Sequence, residues 1–159
     1  MVLVVVTAPD LQTLNLAPVA AVLEPMLAGA SPEDLVNQEQ SLQFDLQFPR
    51  DPDDPRELSE IPEVRLWFVR LDSRYPWLPF FLDWRSGELA RYGAMLVPHQ
   101  FHRTEGIQFN PEALEIFVMA KVFILKDWLK AWGIPLEERL VFFTQMFGYD
   151  LEQEFLERV

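Results

Sequence analysis

No cysteine occurs among the 159 residues, and histidine occurs only twice. The first absence removes disulfides, thiolate-held zinc, iron–sulfur ligation by this chain and cysteine nucleophiles together. It fits a reducing, cytosol-like compartment. Basic residues are scarce too: 13 Lys and Arg stand against 25 Asp and Glu, for a net charge of −12 and a sequence pI near 4.5. Nucleic-acid binding rests on clustered cations that displace counterions from phosphate, so this balance argues against it. An anionic membrane surface would be repelled by the same sign. A basic protein or peptide is easier to accommodate, although an acidic exterior also serves solubility alone. Long apolar runs are missing as well. The greasiest stretch, IFVMAKVFILKDWL, is interrupted by Lys121, Lys126 and Asp127, well short of the ~20 apolar residues a crossing needs. The start, MVLVVVTAPD, has no positive leader region and no small-residue cleavage site, so it reads as a first strand and not as a signal peptide. A soluble cytoplasmic protein without membrane insertion is expected.

What is present is apolar and aromatic. Half the residues are hydrophobic, enough for one domain over 1–159 that buries roughly 70% of its unfolded surface. VLVVV is a β-branched run of the kind found in a strand buried on both faces. LAPVAAVLEPMLAG suits a helix that Pro25 would break or kink near Glu24, and Ser31 with Pro32 restarts helix. SLQFDLQFP alternates, Leu42, Phe44, Leu46 and Phe48 against Gln43, Asp45 and Gln47, as in a half-buried strand. RDPDDPREL is a surface loop. PEVRLWFVRLD alternates again and predicts a third strand, antiparallel to the second across a short loop. From Pro76 onward the period becomes helical: residues 86–96, ended by Pro98; then a stretch at 98–109 that is either loop or a fourth strand; then a long helix capped by Asn110 and stopped by Gly133 and Pro135. Two short helices follow, separated by Gly148. The sum is an α+β fold, a small mainly antiparallel sheet with a β-α-β-β start covered by C-terminal helices.

Several side chains carry chemistry that needs placing. Lys121 falls on the apolar side of its helix, among Leu114, Phe117, Leu125, Trp128 and Trp132. There it must snorkel, find a carboxylate, or stay neutral as a base or Schiff-base former. His99 and His102 are spaced for one metal on a helical turn, but no cysteine and no H-E-x-x-H pattern completes a site, and packing histidines are the simpler reading. Asp83, Arg85, Glu88 and Arg91 alternate in sign. They either fix a polar ligand beside Trp84 and Tyr92, or cap a helix and pair in solvent. PWLPFF, residues 76–81, sets three aromatics between stiffening prolines. They are core, or, where exposed, an interaction hot spot. No phosphate loop, Ser-His-Asp arrangement, G-x-S-x-G or dinucleotide fingerprint is present, and neither a cofactor nor a metal is implied.

Residues 60–135, through PWLPFFLDWRSGELARYGAMLVPHQF and FNPEALEIFVMAKVFIL, resemble the sixth chlororespiratory-reduction protein family of cyanobacteria and chloroplasts. The resemblance rests on aromatic and proline texture. It implies a non-catalytic assembly factor of the photosynthetic NAD(P)H dehydrogenase-like complex, acting in cytosol or stroma on the hydrophilic arm, with an iron–sulfur subunit as client. It carries over no catalytic residue. Within the motif, Trp77, Phe80, Phe81, Trp84, Arg85, Tyr92, His99 and Phe101 are the expected protein contacts. The lack of a transit peptide is similar to the cyanobacterial form. The alternative is an enzyme or small-ligand domain with a pocket formed by Asp83, Arg85, His99 and Lys121.

Overall fold

In the computed structural model, residues 1–135, 137–152 and 154–155 are described, apart from the side chains of Phe101, Ile107 and Glu137. Strand β1 (Val2–Thr7) leads into α1 (Ala8–Gln12), where Asp10 accepts hydrogen bonds from the backbone N–H (3.1 Å) and hydroxyl (2.5 Å) of Thr7. Helices α2 (Ala17–Leu27) and α3 (Pro32–Gln38) follow, and then β2 (Leu42–Gln47). Ser31 caps α3 as its sequence predicts, its hydroxyl accepting from the Asp34 N–H. Pro25 does not end α2 at Glu24; the helix runs two residues beyond the proline, to Leu27. A proline this near a C-terminus removes one hydrogen bond and leaves little helix to misdirect.

The largest correction concerns residues 62–72. They form no strand: α4 spans Pro62–Arg74. Val64, Trp67, Phe68 and Leu71 are its buried residues, at the i, i+3, i+4, i+7 spacing of one helical face. The antiparallel partner expected for β2 therefore does not exist. Instead β1 and β2 pair in parallel, Val2 opposite Leu42 through Thr7 opposite Gln47, with α1–α3 as the crossover. The fold remains α+β, with two separate two-stranded ladders. The second is an antiparallel hairpin of β3 (His99–His102) and β4 (Gly106–Phe109), which resolves the ambiguous stretch. β1 is not buried on both faces either: Val4 and Val6 are sealed at 2% and 0% exposure, while Leu3 and Val5 stand open at 55% and 42%. Among the described residues, helices cover one face of the parallel pair and leave Leu3 and Val5 open on the other.

Between the ladders lie a 3₁₀ turn (Leu78–Phe80) and α5 (Glu88–Leu96), which Gly87 enters at φ +84°, a conformation glycine adopts without a Cβ penalty. Gly93 of α5 sits so close to Phe147 that an added Cβ would lie 2.6 Å from the ring. α6 (Pro111–Ala131) begins under Asn110, whose side chain accepts from the N–H groups of Glu112 and Ala113. α7 (Glu137–Gln145) lies against it. Residues 154 and 155 are helical; the remainder of the expected last helix, residues 153 and 156–159, lies outside the described residues. One core cluster joins the sheet to α2, α4, α5 and α6.

Candidate interaction surfaces

The aromatic segment is the place to begin, because it carries most of the expected contacts. Phe80, Phe81, Trp84 and Tyr92 are all buried. Trp128 of α6 stacks on Trp77 (5.9 Å between centroids, 21°) and on Phe80 (6.0 Å, 19°), and meets Phe81 edge-on. Trp84 stacks on Phe142 of α7 (4.7 Å, 27°) and donates its indole N–H to Pro79 O at 2.6 Å. Each such ring pair is worth about 1 kcal/mol beyond area burial. These four residues thus fasten the C-terminal helices to the sheet and are interior in this structure, contrary to the surface role expected of them. Trp77 is only partly buried, Arg85 is exposed, and His99 is half-buried. The Phe101 side chain lies outside the described residues.

The polar groups have internal work as well. Lys121, 3% exposed, finds a carboxylate: its Nζ lies 2.5 Å from Asp72 Oδ1 on α4, and the Tyr92 hydroxyl donates to that same oxygen from α5. Burial pushes the Asp72 carboxyl above its usual range, and Lys121 offsets part of this. The knot pins three helices to one another. Asp83 Oδ2 accepts from Gln43 Nε2 at 2.9 Å, and its Oδ1 accepts from Arg85 N–H at 3.1 Å. Burial opposes its ionisation, but the hydrogen bonds from Gln43, Ser86 and Arg85 outweigh it and leave its pKa lowered. Asp83 and Arg85 thus meet through a main-chain N–H, whereas Lys121 pairs with Asp72 and His99 with Phe109, and these contacts do not join the four into the expected pocket. His99 and His102 sit three apart on a strand, which turns them to opposite faces. His99 stacks on Phe109 (5.3 Å, 27°), and His102 Nδ1 meets Thr104 Oγ1 at 3.0 Å. No group of three metal-ligating side chains gathers among the described residues.

Glu88 and Arg91 do something their alternating charge did not announce. The Glu88 carboxylate accepts the Phe44 N–H at 3.3 Å, while Arg91 donates to Phe44 O at 3.2 Å and to Glu88 Oε1 at 3.1 Å. The pair stands in for the next strand beside β2. Just upstream, the main chain does the same: Gln40 and Leu42 donate to Phe80 O and Phe81 O, and Asp83 N–H donates to Leu42 O. The outer edge of β2 is closed along its first half by residues 80–83 and at its middle by this ion pair.

Two surface features bear on docking. An open cleft of about 850 Å³ runs between the 50–59 loop, α5 and the β3–β4 hairpin, lined by Arg50, Arg91 and His99 against one acid, Glu57, with Met95 and Phe109 as apolar floor. Arg91 is already paired with Glu88, which leaves Arg50 and the His99 ring as donors toward a ligand. The other feature is the outer side of β1. No described helix is long and apolar enough to cross a membrane.

Comparison with known families settles the kinship. The family described as chlororespiratory reduction 6 matches residues 6–158, nearly the whole chain. The chain belongs to that family. Membership extends the likeness of residues 60–135 in both directions, taking in β2 and the last two residues of β1. The chlororespiratory reduction 6 family is associated with assembly of the photosynthetic NAD(P)H dehydrogenase-like complex, so a protein partner is the natural ligand class. No solved structure matches this chain.

Proposed function

We propose that the chain is a non-catalytic assembly factor that holds an immature iron–sulfur subunit of the hydrophilic arm of the NAD(P)H dehydrogenase-like complex, in the cytosol, until its partners arrive. Family membership over residues 6–158 is the observation that carries this reading. Two features of the fold support it. The groups with catalytic potential, Lys121 and Asp83, are engaged by Asp72 and by Gln43 respectively. The cleft at His99 and Arg50 and the exposed Arg85 offer contact chemistry at the surface. Hydrogen-bond donors and rings in a half-open cleft suit recognition of a polar protein segment.

Mixing the purified chain with the cluster-free iron–sulfur subunit should give a complex stable to size-exclusion chromatography, and deleting the gene in its host should lower the assembled dehydrogenase complex on native gels. Failure to bind, with normal complex levels in the deletion strain, overturns the reading. His99→Ala with Arg50→Ala should weaken the complex about tenfold if the cleft contributes a hot spot.

A further inference from the structure

The parallel ladder is finished on one side only. Val2 N–H donates to Ser41 O at 2.6 Å, and the register places Val4 opposite Phe44 and Val6 opposite Leu46. In a parallel pair each residue directs both its N–H and its C=O to the same side, and successive residues alternate. Val2, Val4 and Val6 therefore face β2, and Leu3 and Val5 turn their amides and carbonyls outward. Among the described residues no strand pairs with that outer edge, and no hydrogen bond takes up the main chain of Leu3 or Val5. The strand VLVVVT carries no charge, no proline and no glycine, so it lacks the devices that usually blunt an edge.

We infer that the outer edge of β1 receives an extended segment of another protein by strand addition, and that this segment alternates apolar residues with lysine or arginine. The main chain dictates the first part: outward donors and acceptors recurring every second residue are matched by another extended backbone. Charge dictates the second. Asp45 lies on the open face of the sheet, in register with Val5. An added strand would stand two strand spacings away, about 10 Å. A long basic side chain laid over Val5 covers apolar surface with its stem and brings its charge toward Asp45. A second copy of this chain would bring only valine, leucine and threonine to that position and another net charge of −12 to the encounter. The inference rests on the docking reading above and assigns it a mode of attachment.

The test uses the full chain, isotopically labelled, and two synthetic ten-residue peptides, one alternating valine with lysine and one alternating valine with glutamate. The lysine peptide should slow amide exchange at Leu3 and Val5 tenfold or more, leave Val4 and Val6 nearly unchanged, and bind at least tenfold more tightly than the glutamate peptide. Val5→Lys should reduce that binding tenfold or more at an unchanged thermal midpoint. Val5→Pro, which removes an N–H that no internal bond uses, should do the same where it folds. Equal binding of both peptides, protection confined to other residues, or slowed exchange that grows with protein concentration in the absence of peptide would overturn the inference, the last by naming a second copy as the occupant. Capture of the iron–sulfur subunit that survives Val5→Lys overturns strand addition and leaves docking standing. Peptide protection at Leu3 and Val5 without such capture leaves the edge site and removes the proposed client.

Discussion

The two outer edges of the β1–β2 ladder face the same problem and meet it differently. Beside β2 the fold commits residues 80–83, a buried carboxylate and an arginine to satisfying the backbone of Leu42 and Phe44. Beside β1 it commits nothing among the described residues. Closing an edge with Glu88 requires burying a charge, which is tolerable only because Arg91 and the Phe44 N–H both engage it. A chain that carries such a device on one side shows what closing the other would take. The closed side should therefore respond to mutation through stability, and the open side through binding.

The largest expected effect lies in the knot behind the closed side. Lys121→Met leaves Asp72 half-buried with only the Tyr92 hydroxyl, and should cost about 3 kcal/mol, read as a shift of the urea midpoint at constant slope. Pairing it with Asp72→Leu should recover most of that loss, since removing both charges relieves the desolvation that either one alone must bear. A purely structural lysine predicts that client binding, corrected for the folded fraction, is unchanged in the double variant.

Glu88→Ala comes next. It strips the Phe44 N–H of its acceptor and Arg91 of its carboxylate, and leaves a buried donor unmade, at a cost of about 2 kcal/mol. Glu88→Gln keeps an acceptor oxygen in place and should cost about half as much. If both variants are neutral, the Glu88–Arg91 pair is not what closes the edge.

How much of this the sequence disclosed depends on the kind of signal. Caps and breaks were legible: Ser31, Asn110 and Gly133 mark their helix ends because each answers a local hydrogen-bonding or φ requirement. Alternation misled at 62–72. Val64, Leu66 and Phe68 read as one face of a strand, yet the same residues with Trp67 and Leu71 also fit a helix, and Pro62 stands at its first turn. Trp67, on the wrong side of the strand pattern, was the clue. In VLVVV every residue is apolar, so no pattern distinguishes the sealed Val4 and Val6 from the open Leu3 and Val5; that depends on whether a second layer exists, which is a tertiary fact. The burial of Phe80, Phe81, Trp84 and Tyr92 was hidden for a related reason. Aromatic density marks buried area without saying whether the area is covered by the chain's own helices or by a partner's. Lys121 was legible down to its options, and pairing with a carboxylate was among them. The partner, Asp72, was hidden because it was assigned to a strand.

Acid provides a finer probe of the closed side. The Asp83 carboxyl is desolvated where α5 begins, yet the hydrogen bonds from Gln43, Ser86 and Arg85 hold its pKa below the usual value. A carboxylate whose pKa is lower folded than unfolded contributes stability that is present above about pH 4 and lost as pH falls through the lower native value. Asp83→Asn should flatten part of the acid loss, measured as urea midpoints between pH 5 and 2.5. Parallel acid profiles for the two proteins would show that Asp83 gains nothing from those bonds.

The smallest stability effect, and the one that tests the comparison most sharply, belongs to the open edge. Val5 is 42% exposed and its N–H and C=O serve no bond among the described residues, so Val5→Lys should change the unfolding free energy by no more than about 0.5 kcal/mol. One position along, Val6 is sealed at 0% exposure, and the same change to lysine would bury a charge with no carboxylate provided for it. Adjacent residues of one strand should thus differ from near silence to loss of the fold. Equal destabilisation at both would mean that β1 is covered on its outer face as well, and that its edge is a closed one.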